Sequence, residues 1–281
     1  MNGSIGRYWN FCVLLGAMAL GSGGCDRADE PRGYDAEQLE IVEALRDAGY
    51  EDEDIDARRG YDGLVVQGDI GVGLTAAREM RGNGFRQWRD ANIVTVDAGN
   101  ICIKKAVSDA NKEELRWENN PNIGLALEEA LNRWNALSIK YHFTTDMSVE
   151  CKGTIKMLIS AEESTDGLAE FPEGGKPGVQ ILISKKYQRL YDDPCKQFGR
   201  EWGKEDSIAT IMHELGHAMG LRHSDWDDNG EDKDGAVHIP GTPEDEPYKS
   251  VMNSDPNYEL FKVQSQWTAD DKKAIETLYG T

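Results

Sequence analysis

The sequence is poor in basic residues and lacks an apolar run long enough to cross a bilayer. Its 281 residues include 31 Lys and Arg against 51 Asp and Glu, a formal net charge of −20. This balance argues against binding to nucleic acid or, through charge, to anionic membranes. The longest apolar run, residues 11–20, is about half a membrane span. With 39% hydrophobic residues, the chain can still form the core of one large domain.

The first 25 residues resemble an export signal. Arg7 precedes the apolar run, and small residues then lead to Cys25, as in the cleavage site of bacterial lipoproteins. Ser22 stands where such signals usually carry Leu, so ordinary signal cleavage is the alternative. Residues 26–33 are acidic and read as a linker. We therefore expect an exported bacterial protein, either secreted or held at the cell envelope by a lipid on Cys25, which would be its only link to a membrane.

Cysteine is also scarce, with five residues in all. Cys12 would leave with the signal and Cys25 would carry lipid, which leaves Cys102, Cys151 and Cys195. An odd number in an oxidising compartment predicts one disulfide and one thiol, with three pairings open. We expect Cys151 to pair with Cys195, because both lie in loop-like sequence. Cys102 is flanked by isoleucines and is expected to be a buried thiol in a strand.

Hydrophobic periodicity predicts an α/β domain with one sheet and two packed helices. The predicted helices cover residues 35–48, 74–80, 121–137 and 208–220, the last capped by Asp206 or Ser207. The predicted strands cover residues 63–70, 92–96, 100–104, 139–144, 154–160 and 178–184. Residues 185–205 are expected to form a loop. Trp134 is expected in the core and His142 on a strand surface.

One motif carries metal chemistry: His213-Glu214-Leu215-Gly216-His217, followed by Gly220 and His223. Histidines four residues apart lie on one face of a helix, about one turn from each other. A glycine at 220 can end the helix and turn the chain back, so that His223 becomes a third ligand. Three imidazoles leave a fourth position on Zn²⁺ for water, and Glu214 lies where its general base belongs.

This motif resembles that of the metzincin zinc endopeptidases. Met252, in the segment Ser250-Val251-Met252-Asn253, resembles their Met-turn, which forms an apolar floor beneath the imidazoles. Residues 167–172 followed by the predicted strand 178–184 are similar to the segment that precedes the active-site helix, where this strand borders the cleft and can pair with an extended substrate. The resemblance implies a twisted mixed sheet, two packed helices of which the second carries the zinc ligands, and a C-terminal subdomain with the Met-turn. Ser254 stands where some metzincins place an oxyanion-stabilising Tyr.

The chain is most similar to the bacterial HEIGH-type metallopeptidases, with Leu215 in place of their Ile. The similarity extends to residues 238–243 and 268–279 and covers about 60–281. It implies a zinc metalloendopeptidase, a hydrolase of peptide bonds that uses metal-activated water, with Glu214 as general base. Protein or peptide is the expected substrate and a monomer the expected state. The family does not tell which peptides are cleaved.

An acidic loop follows the third histidine. Asp225, Asp227 and Asn229 match odd positions of a Ca²⁺-binding loop, but Ala236 replaces the Glu that should close it. We therefore expect a solvated acidic loop, with Ca²⁺ binding as the alternative. Asp225 could instead accept a hydrogen bond from a ligand imidazole.

These observations divide the chain into a signal (1–25), a linker (26–33), an N-terminal, pro-segment-like region (34–85) and the metallopeptidase domain (86–281). The N-terminal region is expected to pack on the main domain. A variant of this hypothesis has it block the cleft, with Asp69 or a thiol in the open zinc position. The competing function is a non-catalytic cell-surface lipoprotein that binds zinc or calcium and keeps the peptidase fold.

Overall fold

The computed structural model describes most of the chain beyond residue 33. The described residues are 34–48, 50, 55–57, 63–66, 68–80, 92–107, 111–162, 166–190, 196–197, 200–201, 203–224, 237–243, 250–254 and 265–281. The signal and linker, Cys25, Cys195 and the acidic loop with Asp225, Asp227 and Asn229 lie outside them. The predictions that fall there stay predictions.

A mixed eight-stranded sheet forms the centre of the described chain. Its strands follow the order β1-β2-β3-β7-β8-β6-β4-β5. Parallel pairing joins β5, β4, β6 and β8, whereas β7 runs antiparallel to β8. A separate hairpin joins β9 and β10. The strands are β1 Ile55–Asp56, β2 Leu64–Val66, β3 Ile70–Val72, β4 Gly99–Lys105, β5 Tyr141–Thr144, β6 Cys151–Ser160, β7 Gly167–Glu170, β8 Gln180–Ser184, β9 Lys196–Gln197 and β10 Arg200–Glu201.

Two long helices, α3 and α5, pack on each other and against the sheet. Trp134 of α3 is fully buried between them, and its indole N–H donates to the Met212 carbonyl of α5 at 3.3 Å. Its expected place in the core is thereby confirmed. No helix in the described part of the chain is long and apolar enough to cross a membrane. The helices are α1 Ala36–Ala48, α2 Leu74–Met80, α3 Pro121–Asn135, α4 Lys186–Leu190, α5 Lys204–Met219 and α6 Ala269–Tyr279.

Three predicted stretches differ in the structure. The strand expected over 63–70 is the hairpin β2–β3, because the chain reverses at Gly68, whose φ is +92°. The strand expected over 92–96 does not join a ladder, and the backbone N–H groups of Thr95 and Val96 both donate to the Gly175 carbonyl. The loop expected over 185–205 contains α4, β9, β10 and the start of α5. Periodicity cannot detect elements of two to five residues.

The disulfide expected between Cys151 and Cys195 is wrong. Cys151 is bonded to Cys102 instead, 49 residues away in sequence. Their strands, β4 and β6, are neighbours, Cys151 lies opposite Asn100, and the Cα atoms of the two cysteines are 5.7 Å apart. Cys102 is buried as expected, but it is not a thiol. The pairing depends on which strands become neighbours, and loop-like sequence around a cysteine does not reveal this.

The described residues of 34–80, here called the N-terminal segment, form a second hydrophobic cluster. Its members come from α1, β1, β2, β3 and α2, together with Tyr50 and, from beyond the segment, Phe171. The segment continues the main sheet, because β3 pairs in parallel with β7, at Ile70 opposite Ala169 and Gly71 opposite Glu170. The segment therefore packs on the main sheet, as expected, with β1–β3 as the last three strands at one end of it.

Candidate metal centre

Helix α5 supplies two of the histidines and begins earlier than predicted. The residue before its first turn is Gly203, and Asp206 sits in that turn, where its carboxylate accepts from the Gly203 N–H at 2.5 Å. The expected cap at Asp206 or Ser207 is therefore wrong by three or four residues. The end at Gly220 is confirmed: its φ is +101°, and its N–H donates to the His217 carbonyl at 2.8 Å.

The three imidazoles of the motif converge. His213 Nε2 lies 2.9 Å from His217 Nε2, and the His223 ring centroid is 5.2 Å from that of His213 and 4.8 Å from that of His217. All three residues are buried or nearly so. The chain turn after Gly220 thus returns His223 to the face of the helix that carries the other two, as the spacing predicts.

The hydrogen bonds of two rings show which nitrogen is available to a metal. His213 Nδ1 lies 2.8 Å from the Val251 carbonyl and His217 Nδ1 lies 2.8 Å from the Leu221 carbonyl, so both must donate there. Burial also holds the pKa of His217 well below its ordinary value, with His213 adding to the shift, which favours the neutral ring. With each Nδ1 occupied by a carbonyl, the two Nε2 atoms, 2.9 Å apart, are the ring atoms that can bind a metal ion, and this donor set fits one.

A fourth donor comes from the N-terminal segment. Asp69 Oδ2 lies 3.3 Å from His223 Nε2 and 3.6 Å from His213 Nε2, and Oδ1 lies 3.9 Å from His217 Nε2. All four ligand atoms lie within 4.8 Å of one another. Ligands of a tetrahedral zinc, each about 2.0–2.1 Å from the ion, are about 3.4 Å apart. The group therefore has the dimensions and the donor types of a four-ligand zinc site.

Asp69 is ionised in these surroundings. Burial alone would raise the pKa of its carboxyl, but His223, His213 and His217 together hold the pKa well below its ordinary value. Among the described residues its Oδ1 accepts no hydrogen bond. A buried carboxylate oxygen without a hydrogen-bond donor is costly, and a metal ion satisfies it.

Glu214 is buried beside the histidines, against strand β7. A Cβ placed on Gly167 of β7 would lie 2.2 Å from Glu214 Oε1, so a larger residue there would displace the Glu214 carboxyl. The absence of a side chain at Gly167 thus lets the Glu214 carboxyl lie directly against the backbone of this strand. Sequence reasoning did not detect this requirement, because the two residues are 47 positions apart.

The segment 250–253 packs against helix α5, which carries His213 and His217. Met252 is buried, and its Sδ lies 2.4 Å from where a Cβ on Gly216 would be, between the two helical histidines. The Met252 carbonyl accepts from the Ser224 N–H at 2.8 Å, next to the third histidine. Met252 therefore contacts the ligand-bearing helix; its role as the floor of a Met-turn stays a prediction.

Asp271 of α6 holds this segment in place, and sequence reasoning assigned it no role. Its carboxylate accepts from Ser250 Oγ at 2.5 Å and from the Val251 N–H at 3.2 Å. It also accepts from the Thr268 N–H at 3.0 Å, and Thr268 Oγ1 accepts from the Asp271 N–H at 3.0 Å. This reciprocal capping box at the start of α6 was the available signal, since Thr and Asp stand three residues apart before an amphipathic helix. Asp271 thereby fixes the Val251 carbonyl that orients His213.

His142 is exposed on β5, outside the metal group, as the strand pattern predicts.

Comparisons with known proteins show which family the chain belongs to. A family model described as dual-action HEIGH metallo-peptidase matches residues 64–279. A crystal structure of myroilysin is similar over 68% of this chain and 87% of its own, at 12% identity and a TM-score of 0.38. A second structure of myroilysin is similar over 67% of this chain and 96% of its own, at 12% identity and a TM-score of 0.39. No curated protein matches. The family match spans more than half of the chain and includes every residue of the metal group, and the chain therefore belongs to the dual-action HEIGH metallo-peptidases.

Proposed function

We propose that the protein is a zinc endopeptidase in which His213, His217 and His223 hold the ion and Glu214 is the general base. The observation that carries this proposal is the pair of Nδ1-protonated imidazoles whose Nε2 atoms face each other at 2.9 Å. When bound, zinc polarises a peptide carbonyl and lowers the pKa of a water to about 7.

The chain's own groups would then do the remaining work. Glu214, which lies against the Gly167 backbone, would take a proton from the attacking water and pass it to the leaving amine. The strand 178–184, expected to pair with substrate, is wrong for this role, because β8 pairs with β6 on one side and with β7 on the other. Strand β7 would instead align an extended peptide through its main-chain groups, next to the Glu214 carboxyl. Protein or peptide is the proposed substrate class, and the chain is proposed to act as a monomer.

The test combines cleavage of a peptide library with metal analysis. Because the Asp69 carboxylate lies among the imidazoles, cleavage is measured both in the wild-type chain and in Asp69→Ala. We expect cleavage in at least one of the two, and Glu214→Gln in the same background should lower kcat by at least about 100-fold. Zinc should stay near one per chain, because Glu214 is not a ligand.

Three outcomes would count against the proposal. Undiminished cleavage by the Glu214→Gln chain would show that Glu214 is not the general base. Bound zinc without cleavage in either background would instead support the non-catalytic lipoprotein that binds zinc or calcium. A rise in melting temperature with Ca²⁺ but not with Zn²⁺ would support the calcium-binding version of that alternative.

We also propose that the protein is exported and lipid-anchored through Cys25, on the sequence pattern of residues 1–25. Labelled palmitate should enter the wild-type chain and not Cys25→Ala when both are expressed in a bacterium. Release of both proteins into the medium without label would favour ordinary secretion.

A further inference from the structure

The N-terminal segment approaches the metal group at the position where a peptidase needs water. Three imidazoles supply three ligands, and the remaining donor in the group is the Asp69 carboxylate, which follows Gly68 in the β2–β3 turn. A catalytic zinc site keeps its fourth position open, whereas a site with four protein ligands is closed. With Asp69 in the fourth position, the described metal group therefore corresponds to a closed zinc site.

The same segment covers the backbone that a substrate would use. Ala169 N–H donates to the Asp69 carbonyl at 2.9 Å, and Phe171 N–H donates to the Gly71 carbonyl at 3.1 Å. Apart from β1–β3, strand β7 is the edge of the described eight-stranded sheet, and its Gly167 touches Glu214. An extended peptide that adds to this edge needs the same N–H groups. Strand β3 and a substrate therefore compete for β7.

A second buried contact holds the segment beside the third histidine. The Arg222 guanidinium donates to the Tyr50 hydroxyl and lies 5.1 Å from the Tyr50 ring and 5.9 Å from the Phe171 ring. Arg222 and Tyr50 are 1% and 3% exposed, so this contact is shielded from water. Arg222 stands next to His223 in the chain, which links the position of the segment to that of the ligand loop.

The N-terminal segment has a hydrophobic cluster of its own. Its hydrophobic cluster is distinct from the one formed by the main sheet, α3 and α5. Besides the Asp69 and Tyr50 contacts, the two parts meet at the β3–β7 ladder, Phe171, the small cluster of Val65 with Leu168, and polar contacts such as Glu79 with the Gly174 N–H at 3.0 Å. An inhibitory segment requires this organisation, because it must leave an intact enzyme behind.

We infer that Asp69 is the fourth zinc ligand of a latent form, and that the N-terminal segment inhibits the peptidase by occupying both the metal and the β7 edge. This inference rests on the proposed zinc peptidase function. The chain becomes active when the segment leaves β7 and the Asp69 carboxylate leaves the metal.

The test is the access of a small ligand to the metal in the full chain loaded with Co²⁺, read from its visible spectrum. Acetohydroxamate should change the spectrum of Asp69→Ala at concentrations at least about tenfold lower than for the wild type, because Asp69 must first leave the metal in the latter. Asp69→Asn keeps the shape without the charge and should shift in the same direction. Asp56→Asn removes an exposed carboxylate of the same segment and should behave as wild type. Peptide cleavage should rise in the two Asp69 variants and not in Asp56→Asn.

Equal response of wild type and Asp69→Ala to acetohydroxamate would overturn the inference. The inference would also be overturned if acetohydroxamate changed only the spectrum of Asp69→Ala and this variant no longer unfolded cooperatively on heating. That result would show that the substitution had loosened the fold. These failures are distinct from failure of the proposed function. Cobalt bound at one per chain, with equal Glu214-dependent cleavage in wild type and Asp69→Ala, refutes the latent form and keeps the peptidase. A chain that binds no cobalt in either form refutes both.

Discussion

Gly167 sets how closely strand β7 approaches the Glu214 carboxyl. In Gly167→Ala the new Cβ would lie 2.2 Å from Glu214 Oε1 and 2.5 Å from Cδ, so the carboxyl must move. Displacement of a catalytic group by about 1 Å can cost about 100-fold in rate. We expect Gly167→Ala to lower kcat by about that factor, measured in whichever of the wild-type and Asp69→Ala backgrounds is active.

Gly124→Ala is the matched control for this change. The nearest atom to a Cβ at Gly124 in helix α3 is Lys105 Nζ at 3.8 Å, an ordinary contact. It should leave kcat unchanged and, as a Gly to Ala change in a helix, raise stability by about 0.5–1 kcal/mol. Zinc content near one per chain in both variants shows that the metal site is intact. Full activity of Gly167→Ala would contradict the placement of Glu214.

The spacing of the motif predicted the convergence of the three histidines. It could not predict the position of Asp69, which depends on long-range contacts. His213, His217 and His223 lie within eleven residues, so one helix and one turn determine their geometry. Asp69 reaches the same point across 144 residues, through a hairpin turn at Gly68 within a stretch whose pattern predicts a single strand. The sequence could therefore name Asp69 only as one candidate for the open position.

At the scale of elements, the start of helix α6 supports the metal centre through the turn at 250–252. Asp271 accepts from Ser250 Oγ and the Val251 N–H, and the Val251 carbonyl accepts from His213 Nδ1. Loss of a group that orients a ligand in this way typically weakens metal binding by about 10- to 100-fold. We expect Asp271→Ala to lower zinc affinity by that factor in a competition titration with a chelator.

The neighbouring Asp270→Ala is the control, because Asp270 is exposed in the same first turn of α6. It removes the same charge near the helix N-terminus and should leave zinc affinity at the wild-type value. A loss of affinity of equal size in both variants would indicate a general effect on α6. The role assigned to Asp271 would then be wrong.

Helices with a long hydrophobic periodicity were predictable from the sequence, whereas contacts that depend on which segments pair with each other were not. The pattern of apolar residues found α1, α2 and α3 close to their observed bounds. It did not show that Thr95 and Val96 would bond to Gly175 rather than to a strand, or that β4 and β6 would become neighbours and pair Cys102 with Cys151. These outcomes depend on which segments meet in the sheet, which one sequence does not encode locally.

At the scale of the whole molecule, the described chain combines two hydrophobic clusters joined mainly along strand β7. One carries α5 with its histidines and Glu214, and the other places Asp69 at the same point. A metal bound by Asp69 and the three histidines would therefore also connect the N-terminal segment to the rest of the chain. An ion that binds the folded chain and not the unfolded one also raises the melting temperature, so its removal should lower it.

The most direct measurement is X-ray absorption at the zinc edge of the full chain, with the zinc content determined on the same sample. We expect one zinc per chain with three imidazole nitrogens and one carboxylate oxygen, each at about 2.0–2.2 Å. In Asp69→Ala the three imidazoles should remain while the carboxylate contribution is lost. Zinc far below one per chain, or a first shell with fewer than three imidazoles, would contradict the metal centre built from His213, His217 and His223.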